Sequence, residues 1–216
     1  MNGNGPVTLY LVRHGETAWN AEHRFQGLMD VPLSERGVRQ AQALATWLAA
    51  QPIHFSAIYA SDLARASETA AIVGHALGLA PQLSPLLREI DTGAWSGLNS
   101  AEIEEGFPDG LRRWREEVMS FRMPDGESVP EVQERVMRAV HGIAAAHRGE
   151  AVIVVGHGVA LSAMLAGLHQ WDLADAWRDS RSRMGNTGVT IVEWDAEAER
   201  CAMSLFNTRA HLDALT

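Results

Sequence analysis

The hydrophobic pattern opens on a short apolar run, Val7-Thr8-Leu9-Tyr10-Leu11-Val12. It is rich in β-branched residues and too short for a typical helix, so it predicts a buried strand. A polar, glycine-containing stretch runs to Leu33, and Ser34 then offers an N-cap to a helix with Val38, Ala41, Ala45 and Leu48 on one face, closed by Pro52. Phe55 to Ala60 predicts a second strand. The helix after it starts near Ser61 or Asp62, carries Leu63, Ala66, Ala70, Val73 and Leu77, and has Gly78 beyond its end.

Pro81 to Leu87 predicts a third extended segment, and the glycines of Arg88 to Asn99 an irregular loop. Residues 100 to 125 read as helical pieces interrupted by Pro108, Gly110, Pro124 and Gly126. Ser128 and Glu131 have capping-box spacing ahead of a helix with Val132, Val136, Val140 and Ile143 on one face. Ala151 to Val155 is another buried strand, followed by Gly156-His157-Gly158 and an apolar helix through Ala166. Two closing strands, near 189–194 and 201–206, flank a polar turn from Asp195 to Arg200. Strands alternating with helices make an α/β rhythm. With no repeat, low-complexity block or dividing linker, residues 1–216 read as one domain.

Composition narrows the class. A chain of 216 residues with 46% hydrophobic and 21% charged residues can bury one substantial core. A net charge of -9 argues against nucleic-acid or anionic-membrane partners. It leaves room for an anionic substrate, because exposed charges beyond about 8 Å are screened and a few clustered arginines can dominate a pocket. No apolar run is long enough to cross a bilayer, and Met1 to Pro6 lacks the regions of a signal peptide, so the cytoplasm is the expected compartment. The single cysteine, Cys201, cannot form an internal disulfide.

Two apolar strands end directly in histidine, at Arg13-His14-Gly15 and at Gly156-His157-Gly158. In open α/β sheets ligand sites gather at the carboxyl ends of strands, so parallel neighbours would bring the two imidazoles to one rim. The flanking glycines allow sharp turns and close approach of a ligand. His23, His54, His75, His141, His147, His169 and His211 show no metal-ligand spacing and are expected to be solvated or structural. Cys201 lacks the arginine of a cysteine phosphatase loop, and neither a G-x-x-x-x-G-K-[ST] loop nor a G-x-S-x-G elbow is present.

An ordered set of motifs goes further. Leu11-Val12-Arg13-His14-Gly15-Glu16-Thr17 is followed by Trp19-Asn20, Arg24-x-Gln26-Gly27, Pro32-Leu33-Ser34-x-x-Gly37 and Ser61-Asp62-Leu63-x-Arg65-Ala66-x-Glu68-Thr69. Leu87-Arg88-Glu89, Gly93-x-Trp95-x-Gly97, Gly126-Glu127-Ser128 and Gly156-His157-Gly158 complete it. The set resembles the histidine phosphatase superfamily, the phosphoglycerate-mutase-like proteins. The resemblance implies a three-layer α/β/α sandwich, with a mostly parallel sheet and a small helical lid at about 99–128. It also implies a metal-independent enzyme without a cofactor, acting on a small phosphorylated substrate.

Carried onto matching positions, the resemblance makes His14 the nucleophile, with Arg13, Arg65 and His157 around the transferred phosphoryl group and Glu89 as general acid. Asn20, Gln26, Gly27 and Gly158 are expected to line the phosphate site. The chemistry suits these residue types: a neutral imidazole is a competent nucleophile, and guanidinium forks match phosphate oxygens. Glu16 and Glu68 are expected to serve the scaffold, Trp19 and Trp95 to wall the pocket, and Trp47 to sit in the core. Arg112, Arg113 and Arg115 form a basic cluster in the lid stretch that reads as a solvated helix face, with contact to an anionic substrate tail as the alternative. The short, acidic stretch between Asn99 and Ser128 lacks the basic insertion of cofactor-dependent phosphoglycerate mutases, which favours hydrolysis. The mutase is the alternative within the family, and a non-catalytic phosphate-binding module the alternative outside it. Within the family the chain most resembles bacterial broad-specificity and phosphosugar phosphatases, and a homodimer is left open.

Overall fold

A computed structural model describes residues 5–215 of the chain. In order, the elements are β1 (Val7–Arg13), α1 (Ala18–Ala21), α2 (Glu35–Ala49), β2 (Phe55–Ala60), α3 (Ala64–Leu77) and β3 (Gln82–Leu83). Then come α4 (Ser100–Gly106), α5 (Gly110–Glu116), α6 (Val129–Ala146), β4 (Ala151–Gly156), α7 (Gly158–Leu168), α8 (Leu173–Arg178), β5 (Val189–Asp195) and β6 (Arg200–Thr208). Short 3₁₀ turns lie at Pro85–Leu87, Gly93–Trp95 and Ala210–Leu215. Among the described residues no helix is long and apolar enough to cross a membrane.

The six strands form one sheet in the order β3-β2-β4-β1-β5-β6. β3, β2, β4 and β1 run parallel, whereas β5 and β6 are antiparallel additions at one edge. The unbroken apolar runs of β1 and β4 follow from burial on both faces. Leu9, Leu11, Val152 and Val154 point into a core shared with α6 and α7, while Tyr10, Val12, Ile153 and Val155 point into one shared with α2 and α3. The helix signals are met: Ser34 caps α2 by accepting from Gly37 N, Gly78 ends α3 with a left-handed φ of 69°, and Ser128 and Glu131 form the capping box of α6.

Some expectations are corrected. The third extended segment shrinks to two paired residues, because Pro85 and the Ser84 side chain start a 3₁₀ turn. α3 begins at Ala64 rather than at Ser61 or Asp62, and Trp47 is half-buried, packed against the edge of the core on the α2 and α3 side and near His211. Trp95 walls no pocket. It is fully buried under α4 and α5, with Phe25, Phe107 and Phe121 at ring-centroid distances of 5.6, 6.2 and 5.5 Å. Trp177 of α8 packs edge-on against Trp114 of α5 at 4.7 Å and donates its indole N–H to the Trp114 carbonyl.

Candidate active site

The register of β1 with β4 pairs Arg13 with Gly156, and His14 N donates to Gly156 O at 3.0 Å, so both chains leave the sheet at the same level. The next residue on each side is a histidine, and the His14 and His157 rings lie 5.1 Å apart, both buried. His14 Nδ1 stands 2.6 Å from Gly15 O. A carbonyl only accepts, so Nδ1 carries the proton and Nε2 keeps its lone pair.

The cations arrive from three elements. Arg13 closes β1 and donates Nη1 to Met184 O at 2.7 Å. Arg65, in the first turn of α3, donates Nη1 to Met29 O and Nη2 to Gly27 O, each at 2.8 Å. These bonds fix the planes of both guanidinium groups but leave Arg13 Nε and Arg65 Nε buried without a partner. Both ring nitrogens of His157 share that condition. A buried polar atom without a partner costs about 1–3 kcal/mol, and the two guanidinium Nε–H groups with the single N–H of an uncharged His157 make a donor set beside His14 that an oxyanion would satisfy.

Glu89 faces this cluster from the loop before the second 3₁₀ turn. Its carboxylate accepts from Ile90 N at 3.0 Å and from Val159 N and Ala160 N, at the start of α7, at 3.2 and 3.0 Å. Its backbone is held by Arg135 of α6, which donates to the carbonyls of Leu86, Arg88 and Glu89 and to the Glu127 carboxylate.

Asn20 Oδ1 accepts from Thr17 N and Asn186 Nδ2, which leaves Nδ2 as the donor of Asn20. Gln26 Oε1 is taken by Thr17 Oγ1 at 3.0 Å. Gly27 has φ +51°, and a Cβ there would lie 2.2 Å from Thr92 Oγ1, so only glycine brings its carbonyl to Arg65. Asn20, Gln26, Gly27, Arg13, His14, Arg65 and Glu89 line one cavity of about 600 Å³. Gly158 lines an adjoining space of about 350 Å³, together with Arg13 and Glu89.

Burial holds the His14 imidazole well below its ordinary range, and Arg13 and Arg65 push it the same way. His157 is lowered by burial first and then by Arg65. Desolvation brings Arg65 down to about 10, and it lowers Arg13 against the opposing pull of Glu89. Near neutral pH the site therefore presents two uncharged imidazoles between two charged guanidinium groups.

Several contributors escaped the sequence reading. Asn186 donates Nδ2 to both His14 O and Asn20 Oδ1, tying the loop before β5 to the one after β1. Arg183 and Trp114 line both spaces, and exposed His23 sits at the rim. Trp19 is in the cavity wall, as expected. Glu16 and Glu68 serve the scaffold: Glu16 accepts from Ser34 Oγ, and Glu68 from Leu33 N. The basic cluster divides. Arg112 and Arg113 pair with Asp109, Glu116 and Glu117 on the exposed face, whereas Arg115 faces the adjoining space.

The sequence profile of the histidine phosphatase superfamily (branch 1) matches residues 9–207, nearly the whole chain. The chain belongs to that superfamily. Among relatives of this histidine phosphatase, phosphoserine phosphatase 1 of Hydrogenobacter thermophilus is 39% identical over 171 residues, 79% of this chain and 80% of its own. Probable phosphoglycerate mutase GpmB of Escherichia fergusonii is 33% identical over 96% of each chain. A solved mycobacterial glucosyl-3-phosphoglycerate phosphatase with VO3 superposes with a TM-score of 0.85 at 32% identity, covering 93% of this chain and 99% of its own. For Bacillus stearothermophilus YhfR the TM-score is 0.87 at 35% identity, covering 95% of this chain and 99% of that one. The α/β sandwich with its mostly parallel sheet is thus the fold of the histidine phosphatases.

Proposed function

We propose that this histidine phosphatase hydrolyses phosphomonoesters of small metabolites through a phosphohistidine on His14. One observation carries the reading: an uncharged, tautomer-fixed imidazole lies beside four buried nitrogens of Arg13, Arg65 and His157 that lack partners. His14 Nε2 attacks phosphorus as the phosphorus–ester oxygen bond breaks, and Glu89 gives the leaving oxygen its proton. A water then attacks the phosphohistidine, its proton passes to Glu89, the phosphorus–nitrogen bond breaks, and phosphate and free His14 are regenerated. Arg13, Arg65 and His157 hold the equatorial oxygens, where charge spreads in the transition state, and Asn20 adds a neutral donor. Gln26 and Gly27 shape the wall, and residues 99–128 form the lid of a single domain, over the leaving group. The hydrolases among the relatives, named for phosphoserine and glucosyl-3-phosphoglycerate, support a small phosphorylated substrate.

The test is phosphate release from p-nitrophenyl phosphate and a panel of alkyl and sugar phosphates in EDTA, with wild type, His14→Ala and Glu89→Gln. The wild type is expected to work in the chelator and His14→Ala to lose at least about a thousandfold. Glu89→Gln should lose about a hundredfold in kcat/KM on alkyl esters and much less on the nitrophenyl ester, whose leaving group needs no proton. Equal activity in His14→Ala refutes the nucleophile. The mutase relative supports a second reading, which predicts phosphoglycerate interconversion stimulated by 2,3-bisphosphoglycerate in place of phosphate release.

A further inference from the structure

The space beside the phosphate cluster differs from it in character. Phe25, Leu111, Trp114 and Trp177 contribute apolar wall, Val159 and Met184 touch Glu89 and Arg13, and Ser100 and Ser162 add two hydroxyls, that of Ser162 already given to Ser182 O. Leu111, Trp114 and Arg115 come from α5, Trp177 from α8, and Arg183 from the loop that follows. The aromatic pair is rigid, since the Trp177 indole N–H is bound to the Trp114 carbonyl at 3.1 Å. Against the aromatic part of this wall a hydroxyl-rich leaving group would lose hydrogen bonds to water, with the Ser100 hydroxyl and the two arginines as the neighbouring partners.

Two arginines, Arg115 on the lid side and Arg183 opposite, line the same space. On α5 the neighbouring Arg112 and Arg113 are paired to Asp109, Glu116 and Glu117. The guanidinium groups of Arg115 and Arg183 make no hydrogen bond or ion pair with any described residue. Charge that is neutralised on the outer face of α5 thus stays available on the inner one.

We infer that this space is a leaving-group subsite selective for phosphomonoesters whose alcohol is an apolar, ring-sized body ending in a carboxylate, which Arg115 and Arg183 bind. The inference rests on the phosphatase reading and goes beyond it, because it places such esters above sugar phosphates. Guanidinium forks match a carboxylate, and the apolar wall takes the body between the two anionic ends.

The experiment compares kcat/KM for para-(carboxyethyl)phenyl phosphate with that for para-propylphenyl phosphate, esters of matched length whose insulated end groups leave the phenol acidity similar. Two exposed charge contacts are expected to favour the carboxylate compound about tenfold in the wild type. Arg115→Gln and Arg183→Gln should each reduce that preference to about threefold, and the double variant to near unity. A wild-type preference near unity, or one unchanged in the double variant, overturns the subsite and leaves the phosphatase standing. Turnover of neither ester, with the nitrophenyl and sugar panel also blank, overturns both.

Discussion

His14, His157 and His211 are kept uncharged by burial. His14 and His157 face each other in the proposed phosphate site, whereas His211 is bound through Nε2 to Thr187 Oγ1 at 3.0 Å and lies under the loop that carries Asn186. Burial takes His211 down to about 4, and His14 and His157 lie well below their ordinary value of 6.5. In the unfolded chain all three titrate near 6.5, so as pH falls below that value the unfolded state binds protons that the folded state refuses. Stability is therefore full above about pH 6.5 and declines towards pH 4, with each histidine contributing at most about 1.4 kcal/mol per pH unit. Urea midpoints measured from pH 7 to pH 4 should fall steadily, and His211→Asn should make the decline shallower; a flat profile would contradict the buried neutral rings. Most of the phosphate cluster was legible because its residues stand in ordered motifs. Asn186 and Arg183 were not, since their loop has no periodicity and acquires meaning only where the sheet topology brings it beside His14.

At the scale of elements, the turn after β1 is seated directly on α2. Ser34 N donates to Glu16 O at 2.8 Å, and Glu16 N donates to Gln40 Oε1 at 2.9 Å. A Cβ on Gly37 would stand 2.0 Å from Glu16 O, and one on Gly15 would stand 2.6 Å from Gly37 O. These two glycines set how closely the turn that carries His14 approaches the helix, which gives the Pro32-to-Gly37 motif a steric reason. Gly37→Ala should push backbone against backbone, cost about 1–3 kcal/mol in urea denaturation and lower kcat by displacing His14. Unchanged stability and kcat would show that the two segments separate freely. Helix ends were readable from Ser34, Gly78, Ser128 and Glu131, because each supplies a local cap. β3 was misread because local turn chemistry at Ser84-Pro85 overrides an apolar run, and Trp95 because its position beside motif residues gives no sign that α4 and α5 cover it.

For the whole molecule, the sequence showed an α/β chain and two histidines on one rim but could not show strand order, which depends on pairings between distant segments. That order places β1 between β4 and β5, with Thr8 opposite Ala151 and Val7 opposite Trp194. The strand that ends at His14 thus precedes the other five in sequence, yet both strands that pair with it lie more than 130 residues further on. Among the described residues, no strand before β4, which starts at Ala151, pairs with it. Closing such long loops precedes any reward from the contacts they permit, which makes high-contact-order chains slow to fold. On dilution from urea, far-UV circular dichroism should recover ahead of phosphate release, since helices form locally while the proposed site awaits the pairing of β1 with strands distant in sequence. Simultaneous recovery of the two signals would mean that β1 finds β4 and β5 as early as the helices form.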